Sequence, residues 1–380
     1  MPNLKLTDQK IVEIARAHLE PLKLGKNPRP KVELAKEMKL SQKTVGRAIT
    51  EAFRKRLISI ETRFIPSFET DDSLARALQA KFPRLKLAIV ARMPKGIDSD
   101  KTHRNLGYAM ARQIQGDPFF FRDGDVVGLG SGRGTYFTIA ALNELDNVQV
   151  GEISLMSLTG SLFSQRSKDR ENFLFDADIH AALLAQHFLG QIQVRPICSP
   201  IAQSIQDRAK VIRETWLGED YDKHVPTHAI VGVGVLAEQH RFCQEVTSGQ
   251  KAPVLRSISD DLKTLVRIVG EITRSYDGKV PYCPVADICN RLLVVPHPDD
   301  LASSLRRRVS GDVEKLVSKI NAHLITATKT QLSRVQNVIL VAGTPIKARA
   351  ILSLLQHSVA KVHTLCTDSE VAEALLELRW

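Results

Sequence analysis

The chain is short of aromatic residues, which make up 5% of its 380 positions, and it has only two tryptophans. It has five cysteines, at 198, 243, 283, 289 and 366, an odd number with no Cys-x-x-Cys pair. That spacing supports neither a disulfide framework nor a zinc site, and Cys283 and Cys289 read as buried thiols. No apolar run approaches the roughly 20 residues needed to span a bilayer. The segment MPNLKLTDQKIVEIARAHLE lacks the apolar stretch of a secretory signal. Internal repeats and low-complexity segments are also missing. A cytoplasmic protein of two or three domains, without a membrane partner, is the expectation.

What the chain has is positive charge, unevenly spread. The net charge is +11. Residues 1–60 hold 14 Lys/Arg against 6 Asp/Glu, an excess of eight, and the other 320 residues carry the remaining three. A basic module joined to a nearly neutral body is the footprint of a nucleic-acid binder, because phosphate contact supplies most sequence-independent affinity. A merely solvated basic face would look the same by charge alone.

Residues 31–52, KVELAKEMKLSQKTVGRAITEA, carry the sharper signal. Leu34, Ala35 and Met38 form one apolar stripe, Leu40 falls in a turn, and Val45 and Ile49 form a second stripe. Ala35 suits a close helix crossing, and Ser41 is placed to cap the second helix. Gln42, Lys43, Thr44 and Arg47 are left on the first two turns of that helix, where a helix-turn-helix meets base edges and phosphates. Lys39 stands where such turns usually carry Gly, so a slightly different turn is expected there. Arg54-Lys55-Arg56 and the alternating segment Leu57–Phe64 suggest a winged form. Double-stranded DNA is the expected partner, with Lys31, Ser41, Gln42, Lys43, Thr44, Arg47, Arg54 and Lys55 as the contacting residues. A helical hairpin that packs on a protein partner is the bland alternative.

The acidic segment ETDDS (69–73) marks a boundary, giving a winged helix-turn-helix over 1–66 and an effector-binding domain over 67–380. Beyond it, apolar strands alternate with helices. Strands are expected at 85–92, 125–131, 148–158, 191–200, 227–235, 335–343 and 359–368. Helices are expected at 74–82, 106–114, 135–145, 179–189, 209–217, 345–356 and 369–378. This order defines an α/β, Rossmann-like doubly wound sheet, mostly parallel and covered on both faces.

Ligands of such sheets bind at the carboxyl ends of the strands. Gly130, Ser131, Gly132, Arg133, Gly134 and Thr135 follow one strand, as a loop able to cradle phosphate with backbone N–H groups and polar side chains. It is not a Walker A loop, since no Lys-Ser/Thr pair follows; close strand–helix packing would also explain its glycines. Gly343 follows another strand, with Lys347 in the next helical turn, a position unfavourable to a cation unless an anion sits nearby. His297-Pro298-Asp299-Asp300 looks like the start of a zinc deacetylase site, but Leu301 stands where a Glu would follow, and no metal or cofactor is expected.

Taken in order, the helix-turn-helix with Thr44-Val45-x-Arg47, the loop 128–135, Thr159-Gly160, IVGVGV (230–235), VADICNRL (285–292) and AGTPIKARAIL (342–352) resemble the SorC/DeoR-type sugar-binding transcriptional regulators. The resemblance implies an effector domain similar to sugar-phosphate isomerases. It also implies a homo-oligomer, dimer or tetramer, that responds on DNA to a small carbohydrate or phosphorylated sugar. By the same resemblance, loop 130–135 and Lys347 hold phosphate and Asp287 faces sugar hydroxyls; Gly160 and Gly343 complete the expected ligand-binding residues. The chain departs from its relatives at Asn290, where they often have Gly. It departs again at Val235, where some bisphosphate-binding relatives place a basic residue. The alternative is a sugar-phosphate isomerase-like enzyme with an accessory helical domain; Asp287 is its one candidate base, and no His partner is evident.

Overall fold

The computed structural model describes residues 6–20, 28–55, 57, 69–94, 97–117, 120–145, 147–160, 174–197, 205–236, 258–356 and 360–378. The chain divides into two compact units, residues 1–65 and 66–380.

Among its described residues the first unit has three helices. In α1 (Asp8–Leu19) the Thr7 hydroxyl caps the start and Ile11, Ile14 and Ala15 are buried. They pack with Leu34 and Ala35 of α2 (Lys31–Glu37) and with Val45, Ala48, Ile49 and Ala52 of α3 (Gln42–Arg54). Ser41 Oγ accepts from the Thr44 N–H at 3.1 Å, which satisfies one of the free donors at the start of α3. Between α2 and α3 the chain turns through Lys39 at φ 52°. The left-handed turn is therefore kept, with a lysine in it. Of the expected wing strand, only Leu57 is among the described residues, half-buried against this core; the rest lies outside them.

Two stabilising substitutions follow. A left-handed conformation costs a side-chain-bearing residue about 1–2 kcal/mol, part of which glycine's flexibility gives back. Lys39→Gly is expected to raise the stability of the first unit by about 0.5–1 kcal/mol. Gly46 lies inside α3, and nothing is within 4 Å of the position its Cβ would take. Gly46→Ala is expected to add about 1 kcal/mol. Urea unfolding followed in this unit checks both.

In the second unit, seven strands pair in parallel in the order β1-β10-β9-β5-β2-β3-β4. They are β1 (Leu87–Ala91), β2 (Asp125–Leu129), β3 (Val148–Ser157), β4 (Phe188–Arg195), β5 (His228–Val231), β9 (Asn337–Val341) and β10 (Val362–Asp368). Their alternation divides the core into two. Ala88, Val90, Ala229, Val231, Val338 and Leu340 face one apolar cluster, shared with α4 (Asp72–Lys81), α9 (Ser259–Ser275), α13 (Ala348–Gln356) and α14 (Ser369–Glu377). Ile89, Ala91, Ile230, Ile339 and Val341 face the other, shared with α5 (Ser99–Gly116), α6 (Arg133–Glu144) and α7 (Ala177–Ala185). Continuous apolar runs are what a parallel sheet buried on both faces requires.

The single strand expected over 227–235 is two. The chain leaves the parallel sheet at Gly232, and β6 (Val233–Val235) joins β7 (Val285–Ile288) and β8 (Arg291–Val294) in an antiparallel sheet. An unbroken apolar run reports burial, not which sheet does the burying. The helix expected to reach 189 ends at Ala185, and Phe188 and Leu189 begin β4. The helix expected at 106–114 is the middle of α5, whose polar first turns start from the Asp98 cap. The remaining helices are α8 (Ile205–Glu214), α10 (Ser303–Arg308), α11 (Glu314–Asn321) and α12 (Lys329–Arg334).

Candidate functional sites

The strand order brings the proposed ligand residues to one edge. From β2 the chain runs outward through β3 to β4, then returns to β5 and builds the other half through β9 and β10. The direction reverses between β2 and β5, which is the crevice where open α/β sheets bind ligands. The ends of β10, β9, β5, β2 and β3 carry Asp368, Gly343, Gly232, Gly130 and Thr159 respectively, on adjacent strands.

The glycine loop is built differently from the simplest cradle. The N–H of Gly130 donates to Ile230 O at 2.9 Å, and that of Gly132 donates to Phe175 O at 2.9 Å. The Gly160 N–H is engaged by Ile325 O at 3.1 Å. Those three donors are therefore unavailable to a ligand. Gly132 has φ 110°, and α6 starts after it with no side-chain cap. The N–H groups that helix geometry leaves without an acceptor are those of Arg133, Gly134 and Thr135, at the positive end of the helix dipole. Gly134 is required there, because a Cβ would come within 2.2 Å of Val341 O. The tight approach seats the start of α6 against the end of β9.

Side chains close the loop from above. Cys289 and Asn290 form the two-residue turn between β7 and β8 with φ 51° and 60°, the conformation of a type I′ hairpin, which Asn tolerates well. Asn290 Oδ1 accepts from Ser131 Oγ at 2.9 Å and its Nδ2 donates to Thr159 Oγ1 at 3.1 Å. The Ser131 hydroxyl is thus committed to the turn. Thr135 is fully buried, and its hydroxyl has no partner among the described residues.

Lys347 closes the short 3-10 turn before α13. Its Nζ lies 3.0 Å from His103 Nε2. His103 Nδ1 lies 2.6 Å from Ser99 O. The carbonyl fixes the proton on Nδ1, so Nε2 accepts from the lysine. Burial, with the Lys347 charge beside it, brings the His103 pKa down to about 3, and the ring is neutral. Burial lowers Lys347 to about 8; Asp287 and Asp368 pull it up while Arg133 pushes it down. Asp368 Oδ2 also accepts from the Thr344 N–H at 2.7 Å beside Gly343. Arg133 is half-exposed, pairs with Asp100 at 3.1 Å and lies over the Phe175 ring.

Of the residues read from the sequence, Arg133, Asp287, Gly343 and Lys347 share one electrostatic neighbourhood. His103, Asp368 and Asp100 belong to it as well and were missed. His103 and Asp100 sit in a strongly polar stretch that gave no apolar rhythm to read. Asp368 reads equally well as the cap of α14, whose Val371 N–H it does hold. His297 and Asp300 stand elsewhere, with Asp300 accepting from the Tyr276 hydroxyl at 3.0 Å. Among the described residues no group of three His, Cys, Asp or Glu side chains could hold a metal ion. No described helix is long and apolar enough to cross a membrane.

In the first unit, Lys31, Gln42, Lys43 and Arg47 are exposed and make no side-chain hydrogen bond or ion pair among the described residues. Ser41 and Thr44 share a hydroxyl contact at 2.8 Å in the cap. Arg54 and Lys55 are engaged: Arg54 grips Glu51 at 2.7 Å and Lys55 meets Asp8 at 2.6 Å. The Glu51 hydrogen bond raises the Arg54 pKa, and the same bond lowers that of Glu51.

No protein-family model matches the chain, and no curated protein matches it. Solved structures of several transcriptional regulators share its fold. One is the full-length sorbitol operon regulator SorC from Klebsiella pneumoniae, 16% identical, covering 97% of this chain and 99% of that one, with a TM-score of 0.52. Another is a transcriptional regulator from Streptococcus pneumoniae TIGR4, 12% identical over 80% of this chain and 96% of that one, TM-score 0.54. A DeoR family transcriptional regulator from Listeria monocytogenes is 14% identical over 80% and 98%, TM-score 0.53. The fold is shared across nearly the whole chain with the first and across about four fifths of it with the others.

Proposed function

We propose that the chain is a DNA-binding transcriptional regulator whose second unit senses a small carbohydrate or sugar phosphate without transforming it. The observation that carries this reading is the Lys347 site. A half-buried ammonium, held by a neutral histidine, lies near the uncapped start of α6 and two carboxylates at a topological switch point. Cation and helix end suit a phosphate or other anion, and the carboxylates suit sugar hydroxyls. The shared fold with full-length SorC and DeoR-family regulators supports the same reading, as does the concentration of positive charge in residues 1–60.

In this reading residues 1–66 form a winged helix-turn-helix with α3 as the recognition helix, and 67–380 the effector domain. Lys31, Gln42, Lys43 and Arg47 are the DNA-contacting side chains, and Arg54 and Lys55 contribute less because each already has a carboxylate. The working form is a homo-oligomer, dimer or tetramer. Effector closure around 131–135, Asp287 and 343–347 shifts the balance between subunit arrangements and hence the spacing of recognition helices. An isomerase would need a base beside the sugar; His103 Nε2 is occupied by Lys347, which leaves Asp287 as the one carboxylate candidate for that role. Thermal-shift screening with sugars and sugar phosphates, followed by operator selection at physiological salt, tests the proposal. A stabilising ligand that is not turned over and that changes operator affinity is the expected result. Turnover, or no preference for any DNA sequence, overturns it.

A further inference from the structure

Apart from the residues above, a cavity of about 710 Å3 opens beside β8 and α11, within the usual ~300–1,000 Å3 range of small-molecule sites. Arg208 of α8 and Arg291 of β8 line it, together with Lys329, Glu314, Ser318 and Asn321. Both arginines are half-buried. Among the described residues the Arg291 guanidinium makes no hydrogen bond or ion pair, and that of Arg208 spends only its Nε, on Leu324 O at 2.8 Å. Neither meets a carboxylate. Asn321 is fully used, clamping the Leu292 backbone in both directions at 3.0 and 2.8 Å. Glu314 also lines the cavity, exposed on the first turn of α11, and among the described residues it forms no ion pair with either guanidinium.

Two neighbouring cations partly withdrawn from water, neither paired with a carboxylate among the described residues, are unfavourable unless an anion completes them. Burial lowers the pKa of both, and at Arg291 the charge of Arg208 adds to the lowering. Guanidinium groups match phosphate oxygens in a bidentate way that lysine cannot. We propose that this cavity is a second small-molecule site, for a phosphate ester or diphosphate held between Arg208 and Arg291 with Lys329 alongside. Arg291 directly follows Asn290, the residue bonded to Ser131 of the glycine loop. The second site therefore has a one-residue backbone link to the first.

The test uses the full chain and inorganic pyrophosphate, measured by titration calorimetry at constant ionic strength. Lys347→Met weakens the first site about a hundredfold, so the tightest binding that remains reports the second. In that background, Arg291→Gln and Arg208→Gln are each expected to weaken pyrophosphate about tenfold or more. Glu314→Gln, a change at an exposed position that leaves packing intact, is expected to strengthen it about two- to fivefold by removing a repelling charge. Circular dichroism confirms that each variant is folded, and the Glu314→Gln arm stands if an arginine variant is not. Three results would overturn the inference: no pyrophosphate binding to Lys347→Met, binding indifferent to all three changes, or a change in oligomeric state in place of affinity. The first of these would leave the reading of the Lys347 site untouched.

Discussion

Replacing Lys347 with methionine is expected to weaken effector binding by about a hundredfold, while operator binding in the absence of effector stays within twofold. A charge-assisted hydrogen bond in a half-buried site contributes about 3 kcal/mol, and its loss leaves the ligand's anionic group with only the α6 N–H groups. Methionine keeps the length and apolar stem of lysine, so the 3-10 turn and α13 keep their packing. Calorimetry with the sugar phosphate found by screening gives the affinity. A loss under threefold would remove Lys347 from the site.

The same residue gives the site a pH signature. In the free protein its pKa is lowered from 10.5 to about 8. Above pH 8 the ammonium form declines, and affinity for an anionic effector is expected to fall by up to tenfold per pH unit. Lys347→Met should show no such decline. The stability of the free protein moves oppositely. Between pH 8 and 10.5 the unfolded chain holds the lysine proton and the folded chain releases it, so this residue's contribution to stability rises with pH across that window. Below pH 8, where both states are protonated, the buried charge opposes folding by an amount on the order of 3 kcal/mol.

Arg47→Ala is expected to weaken operator binding by about 10- to 100-fold and to leave the effector-induced rise in melting temperature unchanged. Arg47 is exposed on α3 and has no partner among the described residues, so nothing within the fold depends on it. Loss of one guanidinium contact to a base or phosphate costs about 1–3 kcal/mol, and the salt dependence should flatten by about one unit per head. Arg54→Ala should cost less, because Arg54 is already held by Glu51 at 2.7 Å. Fluorescence anisotropy across a salt series separates the two. Equal damage from both variants, or loss of the effector response in Arg47→Ala, would sink the division of labour between the units.

Much of this was legible in the chain. The α1–α3 core, the strands around residues 87, 127 and 339, and the glycine loop before α6 all follow from local periodicity and capping. The failures also have physical causes. The run 227–235 is apolar throughout, and only the departure at Gly232 divides it between two sheets. Ser131 was read as a ligand donor, yet its hydroxyl bonds Asn290, 159 positions away. The loop pattern makes Gly130 and Gly132 cradle donors, yet neighbouring carbonyls take their N–H groups.

The sequence by itself determined the order of elements, the basic head and the residue types gathered at the strand ends, because period, caps and charge are properties of short windows. Only the tertiary structure decided that Lys347 rests on His103, 244 positions earlier, beside Asp368, and that Arg54 and Lys55 are already paired. Such meetings depend on strand order and helix placement, which bring distant residues together at the cost of chain entropy that the packed core offsets. No local pattern encodes them.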